Sequence, residues 1–291
     1  MTTANDHVLA RELAEAAGQR LLALRAAGGD HDMLRKAGDR QSHEFLAAEL
    51  AARRPADVLL SEEAADDKAR LRADRVWIVD PLDGTREFGE PGRTDWAVHV
   101  ALWERTGPDG TGALTAGAVA LPAQGYVLAT TALGESRRWS TTVVNRHDAG
   151  EGAAASGPRR TDDGGTVLDH AEGGRGARVR IVVSRSRAPR LVLDISDLID
   201  AELVPLGSAG AKVAAVVSGE ADAYVHGGGF YEWDTAAPVA VARAAGFHAS
   251  RIDGSPLLYN QADLLLPDIL VCRPAIAGTL LQAIREVTNA C

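Results

Sequence analysis

Hydrophobic and polar positions divide this chain into two halves with different rhythms. Apolar residues at helical spacing over 5–27 predict a helix that ends at the stop signal Gly28-Gly29. Residues 30–41 are less regular, and a second helix is expected after them, with Asp39 as a candidate cap. Five strands are then predicted, at 58–60, 76–79, 96–102, 116–121 and 126–130. Consecutive strands favour an antiparallel or mixed sheet in this half.

The second half alternates strands with helices. Strands are predicted at 179–183, 202–206, 221–226 and 269–272, and helices at 189–200, 208–219, 233–246 and 275–288. This alternation indicates an α/β unit with helices on the faces of its sheet.

A stretch of different composition separates the halves. Residues 145–177 are rich in Gly, Ala, Asp and Arg and poor in large apolar side chains, which predicts a flexible insertion. The expected fold class is α/β (α+β). Its expected parts are an N-terminal α+β subdomain over 1–144, the insertion over 145–177 and a C-terminal α/β subdomain over 178–291.

Composition narrows the class of protein. With 291 residues, the chain is long enough for two subdomains or one large α/β domain. Its net charge of −9 argues against nucleic acid or an anionic membrane as the main partner. Cys272 and Cys291 are too few for a disulfide framework. The sequence shows neither a signal-peptide pattern nor an apolar run of about 18 residues, so a cytoplasmic protein is expected.

The strand at 76–79 ends in the strongest chemical signal of the chain. Asp80 and Asp83 follow it, and Pro81 and Gly84 predict a sharp turn that lets both carboxylates converge. Two such carboxylates repel each other unless a cation lies between them, and a hard divalent ion such as Mg²⁺ would neutralise them. A helical turn after Gly84 would direct free N–H groups to the same point, which suits a phosphate. The alternative is an acidic surface turn without a ligand.

Other acidic positions could join this pair. Glu62 and Glu63 directly follow an apolar strand, so two strand ends that carry carboxylates can lie side by side in one sheet. Asp66 and Asp67 are better explained as part of a solvated loop or a first helical turn. Asp234 lies at a predicted helix start, where it is either an N-cap or a third or fourth ligand. Four carboxylates from separate segments would be costly to cluster without a metal.

Competing catalytic motifs are missing from the sequence. It contains no G-x-x-x-x-G-K-[ST] phosphate loop, no G-x-G-x-x-G after a strand and no H-E-x-x-H zinc motif. The run His226-Gly227-Gly228-Gly229 resembles an esterase oxyanion loop, but no G-x-S-x-G elbow accompanies it. The eight histidines show no metal-ligand spacing.

Three motifs together resemble the inositol monophosphatase-type superfamily of magnesium-dependent, lithium-sensitive phosphatases. In chain order they are Ser61-Glu62-Glu63, Asp80-Pro81-Leu82-Asp83-Gly84-Thr85 and Trp233-Asp234-Thr235-Ala236-Ala237. The combination is specific, and the resemblance covers the chain apart from residues 145–177. It implies a layered α/β/α/β/α sandwich and a Mg²⁺-dependent hydrolase that lithium inhibits. Because members are often dimers, it also implies a homodimer.

The resemblance assigns a metal-binding role to four carboxylates of these motifs. Glu62 and Asp80, with the backbone carbonyl of Leu82, would hold a first Mg²⁺. The second Mg²⁺ would be held by Asp80, Asp83 and Asp234.

The remaining motif residues would act on the attacking water and on the phosphate. Thr85 would orient the water, assisted by a carboxylate from Glu62, Glu63 or Asp39. N–H groups around Gly84 and Thr85 would bind the phosphate. Asp39 takes the place of a family aspartate that serves a third ion or the water. The Thr-x-x-Asp context usual around that aspartate is missing here, so a simple helix cap is an equal alternative for Asp39.

Other segments resemble the 3′(2′),5′-bisphosphate nucleotidases of the CysQ type, and their actinobacterial subgroup in particular. Arg86-Glu87 after Thr85 is similar to their basic-acidic pair, where simple inositol phosphatases have Thr-Asn. The segment Ser184-Arg185-Ser186-Arg187 resembles their Ser-Arg-Ser-His, with Arg187 in place of the His. Gly207-Ser208 with Lys212 resembles their Gly-Ser…Lys element.

A substrate with two phosphates needs cations beyond the metals, and Arg185, Arg187 and Lys212 are candidates for that contact. The expected substrate-binding residues are Asp83, Gly84, Thr85, Arg86, Ser186, Arg187, Ser208, Lys212 and Asp234.

These implications give one hypothesis and several alternatives. We expect hydrolysis of the 3′-phosphate of adenosine 3′,5′-bisphosphate to AMP and phosphate with two or three Mg²⁺ ions, in sulfur assimilation or nucleotide recycling. A further candidate substrate is 3′-phosphoadenylyl sulfate. Inositol 1-phosphate and fructose 1,6-bisphosphate are alternatives for the same chemistry. A metal-dependent nucleotide sensor and a plain structural protein belong to other classes, and the intact motifs disfavour both.

Overall fold

Two long helices open the chain in the computed structural model, which describes residues 4–141, 166–167, 178–186 and 188–289. Helix α1 covers Ala4–Ala27 and helix α2 covers His31–Arg53. Asp30 caps α2, because its carboxylate accepts hydrogen bonds from the backbone N–H groups of Asp32 and Met33 at 3.0 and 3.1 Å. The expectation of an irregular stretch over 30–41 with Asp39 as a cap was therefore wrong. Asp39 lies inside α2, since the helix begins directly after the glycine stop signal.

A mixed sheet of seven strands forms the first half. The strands are Val58–Ser61 (β1), Arg75–Asp83 (β2), Ala97–Arg105 (β3), Gly112–Leu121 (β4), Tyr126–Thr130 (β5), Ser136–Ser140 (β6) and Thr166–Val167 (β7). They lie in chain order, with β1 parallel to β2 and every other pair antiparallel. A short helix α3, Thr85–Gly89, follows β2. The mixed sheet was predicted, whereas β6 and β7 were not.

The second half contains a mixed sheet of five strands with its helices. The strands are Arg180–Ser184 (β8), Glu202–Leu206 (β9), Ala223–Tyr231 (β10), His248–Ser250 (β11) and Leu265–Cys272 (β12), in the order β11-β12-β10-β8-β9. The helices are Arg190–Ile199 (α4), Ala209–Val217 (α5), Glu232–Ala244 (α6) and Pro274–Asn289 (α7). All four predicted helices and all four predicted strands of this half are present, and β11 is an addition. Of the predicted insertion over 145–177, only 166–167 lie within the described residues.

The helices and sheets alternate in five layers. Helices α1 and α2 cover the outer face of the seven-stranded sheet, α5 and α6 lie between the two sheets, and α4 and α7 cover the outer face of the five-stranded sheet. The α/β/α/β/α expectation is confirmed. Residues 76–79 of β2 are all apolar because both faces of the strand are buried there. Val76 and Ile78 join the core between the sheets, while Trp77 and Val79 join the core under α1 and α2.

Parallel pairing of β1 with β2 places two acidic segments at one edge of the sheet. Ser61 lies opposite Val79, so Glu62 and Asp80 both follow at the same edge. The prediction that these two strand ends lie side by side is thus confirmed. In the part of the chain that the structure describes, no helix is both long and apolar enough to cross a bilayer.

Candidate active site

Carboxylates from both halves of the chain meet at this sheet edge. Asp80, Asp83 and Asp234 each offer one oxygen, and these oxygens lie within 4.8 Å of one another. Strand β2 supplies the first two, on either side of a shift in its pairing with β3, and the first turn of α6 supplies the third. Glu62 lies next to Asp80, close enough for a hydrogen bond between their side chains. The structure therefore brings together all four predicted carboxylate ligands.

The carboxylates of this cluster oppose one another's ionisation. Burial and the charges of Glu62, Asp83 and Asp234 raise the pKa of Asp80 well above its ordinary value. Burial and the charge of Asp83 raise the pKa of Asp234 to about 6. Glu62 as a whole is exposed, but its carboxyl end is partly withdrawn from water and lies near Asp234, which raises its pKa to about 7. A cation among them would let all of them ionise.

Asp83 differs from its neighbours because it is surrounded by hydrogen-bond donors. Its two oxygens accept from the N–H groups of Ala209 at 3.2 Å and Gly210 at 2.6 Å, both in the first turn of α5. Nε2 of His99 lies 3.2 Å from Asp83 Oδ2. Burial disfavours the Asp83 carboxylate, but His99, the Gly210 N–H and Lys212 outweigh it and hold its pKa below the ordinary value. Asp83 is the member of the cluster that is ionised most readily.

One face of α2 contacts three segments of the site. The Thr85 hydroxyl lies 3.2 Å from Oδ1 of Asp39 and 3.1 Å from the carbonyl oxygen of Leu82, and it can donate to either. Ser42 donates to the carbonyl of Pro81 at 2.7 Å, one turn further along the helix. His43 Nδ1 lies 2.9 Å from the hydroxyl of Ser61, the residue before Glu62.

Asp39 is in a position to accept a proton. Burial and the nearby charge of Glu63 raise its pKa to about 6, while the hydrogen bond from Thr85 opposes the shift. A carboxylate with a pKa near 6 is ionised at neutral pH and still basic enough to act as a general base. Of the two interpretations of Asp39, the structure supports the one that places it at the site.

Gly84 makes the turn between β2 and α3. Its φ of +84° lies in the left-handed region, and a Cβ there would lie 2.9 Å from Cβ of Ser208 and 3.3 Å from Cα of Trp96. Only glycine combines this conformation with this close approach. The turn packs directly on the start of α5, and Thr85 then begins α3.

The predicted substrate-binding residues of the second half have different surroundings. Ser208 caps α5, with its hydroxyl accepting from the N–H of Ala211 at 2.9 Å. Lys212 is buried, donates to the carbonyl of Gly207 and lies 5.2 Å from the centre of the Tyr224 ring. Burial lowers the pKa of Lys212, which the surrounding carboxylates, Asp83 first, counteract.

Other predicted contacts with the substrate lie at the surface. Arg86 is exposed, and so is Ser186, whose hydroxyl lies 3.4 Å from that of Ser184. Arg185, also exposed, forms ion pairs with Glu87 and Glu90 at 3.0 and 2.9 Å. Its guanidinium is thus already neutralised by two carboxylates. Arg187 lies outside the described residues.

Sequence reasoning missed the residues that support the ligands. His99 is fully buried, with Nε2 near Asp83 and Nδ1 3.2 Å from the carbonyl of Trp233. The one feature of the sequence that could have indicated His99 is that it is a polar residue within the apolar strand β3. Ser42 and His43 repeat at helical spacing from Asp39, a pattern that becomes visible only once α2 is known to start at residue 31.

The donor set of the cluster fits a hard divalent cation. It consists of carboxylate oxygens, with the carbonyl oxygen of Leu82 close to Thr85, and hard cations such as Mg²⁺ prefer oxygen ligands. The raised pKa values of Asp80 and Asp234 are those expected of carboxyl groups that share a site without a counter-charge.

Comparison with known proteins agrees with this geometry. A sequence profile of the Inositol monophosphatase family matches residues 4–289. The 3′-phosphoadenosine 5′-phosphate phosphatase of Mycobacterium leprae is 47% identical over 287 residues, which cover 97% of this chain and 94% of that protein. The protein of the same name from Mycobacterium bovis is 48% identical over 272 residues, which cover 93% of this chain and 90% of that one.

A solved structure matches the fold as well. The crystal structure of CysQ from Bacteroides thetaiotaomicron, a bacterial member of the inositol monophosphatase family, is 28% identical to this chain. The two superimpose with a TM-score of 0.75, over 93% of this chain and 97% of that one. The similarity therefore extends over both sheets and all three helical layers.

Proposed function

The chain belongs to the inositol monophosphatase family, and we propose that it removes the 3′-phosphate of adenosine 3′,5′-bisphosphate to give AMP and phosphate. The observation that carries the proposal is the cluster of Asp80, Asp83 and Asp234 beside the hydrogen-bonded pair of Thr85 and Asp39. The substrate is suggested by the 47% identity to the mycobacterial 3′-phosphoadenosine 5′-phosphate phosphatase. We include 3′-phosphoadenylyl sulfate as a second candidate substrate, which would place the protein in sulfur assimilation or nucleotide recycling.

We propose Mg²⁺ as the ion that the carboxylates bind. One ion would be held by Glu62, Asp80 and the Leu82 carbonyl, and a second by Asp80, Asp83 and Asp234. When bound, the ions would supply Lewis-acid chemistry, making water more acidic and neutralising charge on the phosphoryl group. A third ion beside Asp39 is a further candidate.

Thr85 would orient the attacking water, and Asp39 would accept a proton from it. When the Thr85 hydroxyl donates to Asp39, its lone pairs remain free to accept a hydrogen bond from water and so orient it. As the water oxygen bonds to phosphorus and the bond from phosphorus to the 3′-oxygen breaks, Asp39 would take up a water proton. The leaving 3′-oxygen would receive a proton from solvent. Burial, together with the charge of Glu63, raises the pKa of Asp39 to about 6, in the range that suits this base.

Groups on both sides of the cleft would bind the substrate. N–H groups of Gly84 and Thr85 at the start of α3 would face the 3′-phosphate, with Asp83 and Asp234 reaching it through metal. The second phosphate would lie towards Ser208 and Lys212, since Lys212 is a buried cation close to the cluster. Arg86, Ser186 and Arg187 are further candidates for contacts at the rim.

A substrate panel tests the proposed function. Phosphate release would be measured with Mg²⁺ on adenosine 3′,5′-bisphosphate, 3′-phosphoadenylyl sulfate, inositol 1-phosphate and fructose 1,6-bisphosphate. We expect the highest kcat/KM on the bisphosphate nucleotide and inhibition by millimolar lithium. Preference for inositol 1-phosphate or the sugar bisphosphate would replace the proposed substrate but keep the chemistry. No phosphate release from any of the four would refute the enzymatic proposal and favour a sensor.

A further inference from the structure

A buried polar network joins the segment after Glu62 to the helix that carries Asp234. Its centre is Arg70, which is fully buried in a short 3-10 helix, Lys68–Arg72. The Arg70 guanidinium holds the carboxylate of Asp66 with two hydrogen bonds, of 2.6 and 3.1 Å. Asp66 lies four residues after Glu62 in the loop between β1 and this 3-10 helix, so the network holds the segment that follows a predicted metal ligand. Of the two residues expected in a solvated loop or first helical turn, Asp67 is exposed and caps this 3-10 helix, whereas Asp66 is held by Arg70.

Arg70 also connects to a distant loop. It donates to the side-chain oxygen of Asn260 and to the carbonyl of Gln261, both at 2.7 Å. Asn260 returns a hydrogen bond from its amide to the Arg70 carbonyl at 3.2 Å. Asn260 has a φ of +59°, in the left-handed region, where asparagine is tolerated better than most residues. The residue at position 260 must therefore both make these hydrogen bonds with Arg70 and adopt a left-handed backbone conformation.

The same loop is held by the first residue of α6. Glu232 is buried, and its two carboxylate oxygens accept from the N–H groups of Asn260 at 2.6 Å and Gln261 at 2.7 Å. Its own N–H donates to the carbonyl of Leu264 at 3.0 Å. Both oxygens of Glu232 are thus bound to backbone, and Asp234 follows two residues later on the same helical turn.

We propose that Arg70, Asn260 and Glu232 are positioning residues that fix the distance between the Glu62 segment and Asp234. The inference rests on the proposed metal-dependent activity. Like-charged carboxylates push these two segments apart when no cation is present, so something other than the ligands must hold them at metal-binding distance. A fully hydrogen-bonded buried network is rigid enough to do so, and residues that orient ligands affect metal affinity strongly.

The test uses variants that loosen the network without touching the carboxylate cluster. Asn260→Gly removes the side-chain link to Arg70 but keeps the backbone N–H and tolerates the positive φ. Asn260→Asp is an intermediate variant, because it keeps an acceptor for the guanidinium but loses the amide donor to the Arg70 carbonyl. If Asn260→Gly does not fold, Arg70→Lys replaces it as the test variant, since lysine keeps the charge but loses the bidentate contact with Asp66.

A second ion pair of the chain provides the matched control. Arg251 holds Asp268 with hydrogen bonds of 2.7 and 2.6 Å, and the N–H of Ile252 also donates to Asp268. This pair has the same chemistry as that of Arg70 with Asp66, but its side-chain hydrogen bonds stay within residues 251–268. Asp268→Asn should lower thermal stability without changing metal binding.

The readouts are direct Mn²⁺ binding by calorimetry and the Mg²⁺ concentration for half-maximal activity. We expect Asn260→Gly to raise both the Mn²⁺ dissociation constant and the half-maximal Mg²⁺ concentration about tenfold. KM for the bisphosphate at saturating Mg²⁺ should change less than about twofold. Asn260→Asp, which keeps one of the two side-chain hydrogen bonds, should lose less affinity than Asn260→Gly, and Asp268→Asn should bind Mn²⁺ like wild type. Unchanged Mn²⁺ binding in a folded Asn260→Gly protein would overturn the inference. A wild-type protein that binds Mn²⁺ but releases no phosphate would refute the proposed function alone.

Discussion

Asp83 at the end of β2 accepts a hydrogen bond of 2.6 Å from the backbone N–H of Gly210 at the start of α5. One carboxylate of the first half thus belongs to the candidate metal cluster and also accepts hydrogen bonds from the first turn of a helix in the second half. The close approach requires a glycine, because a Cβ on residue 210 would lie 2.2 Å from Nε2 of His99. The two halves of the site are therefore fixed to each other by backbone as well as by side chains.

Gly210→Ala should destabilise the protein. Alanine favours a helix by up to about 1 kcal/mol over glycine, but overpacking a tight core costs about 1–3 kcal/mol, so the clash with His99 should dominate. We expect a lower free energy of unfolding in denaturant titrations. Gly278→Ala is the control, since nothing lies within 4 Å of its Cβ position and it sits in α7. Equal stability of the two variants would contradict the packing argument.

Asp39→Asn should lower activity without lowering stability. The substitution keeps the shape of the side chain but removes the proposed proton acceptor beside Thr85, and losing a general base reduces kcat by about 10²–10⁴-fold. Because burial already disfavours the Asp39 carboxylate, thermal stability should be unchanged or slightly higher. Steady-state kinetics and melting curves on the same preparation would check both parts. A kcat within about threefold of wild type would remove Asp39 from the mechanism.

The metal-free protein should lose stability as the pH rises from about 4 to 7. Below the ordinary carboxyl pKa, Asp80 and Asp234 are protonated in both the folded and the unfolded chain, so they contribute no difference. As pH rises, the unfolded chain releases these protons first, because folding raises the pKa of Asp80 and brings that of Asp234 to about 6. Melting temperatures in EDTA between pH 4 and 8 would show the fall.

Mg²⁺ should reverse that trend, since metal and protons compete for the same oxygens. We expect the Mg²⁺-induced rise in melting temperature to be larger at pH 8 than at pH 5. Asp80→Asn should flatten the metal-free profile, whereas Asp200→Asn should not, because the Asp200 carboxylate is 80% exposed. A wild-type profile in EDTA that rises steadily from pH 4 to 7 would show that the cluster does not control stability.

Lys212 and Arg185 should differ in their effect on substrate selection. Glu87 and Glu90 already pair with Arg185, so Arg185→Ala should raise KM for adenosine 3′,5′-bisphosphate less than about threefold. Lys212→Met removes a buried cation near the cluster and should raise that KM more than about tenfold, with a smaller effect on 3′-AMP. The reverse ranking of the two variants would place the second phosphate at Arg185.

Local sequence rules singled out these four carboxylates because they stand near strand and helix ends, and the family resemblance gave them their proposed roles. Asp80 and Glu62 lie at the ends of apolar runs, Asp83 follows three residues after Asp80, and Asp234 lies in the first turn of a helix, so their positions could be predicted without tertiary contacts. The Asp39 cap was predicted wrongly because the apolar pattern over 30–41 is too sparse to indicate a helix, whereas α2 already begins at His31 with Asp30 as its cap.

The supporting contacts could not be predicted, since they join residues far apart in the chain. Nothing in β3 indicates that His99 would face Asp83 and the carbonyl of Trp233. Arg185 looked like a free phosphate-binding cation until its pairing with Glu87 was visible. Such pairings follow from how two sheets and their helices stack, and single-sequence patterns carry little of that information.

The division of the cluster between the two halves has a consequence during synthesis. Glu62, Asp80 and Asp83 leave the ribosome early, but Asp234 follows only after more than half of the chain has been made. Because domains fold from the N-terminus as they emerge, the nascent first half holds an incomplete and self-repelling set of carboxylates. The proposed metal site would therefore be completed late in translation, and prematurely terminated chains would lack it.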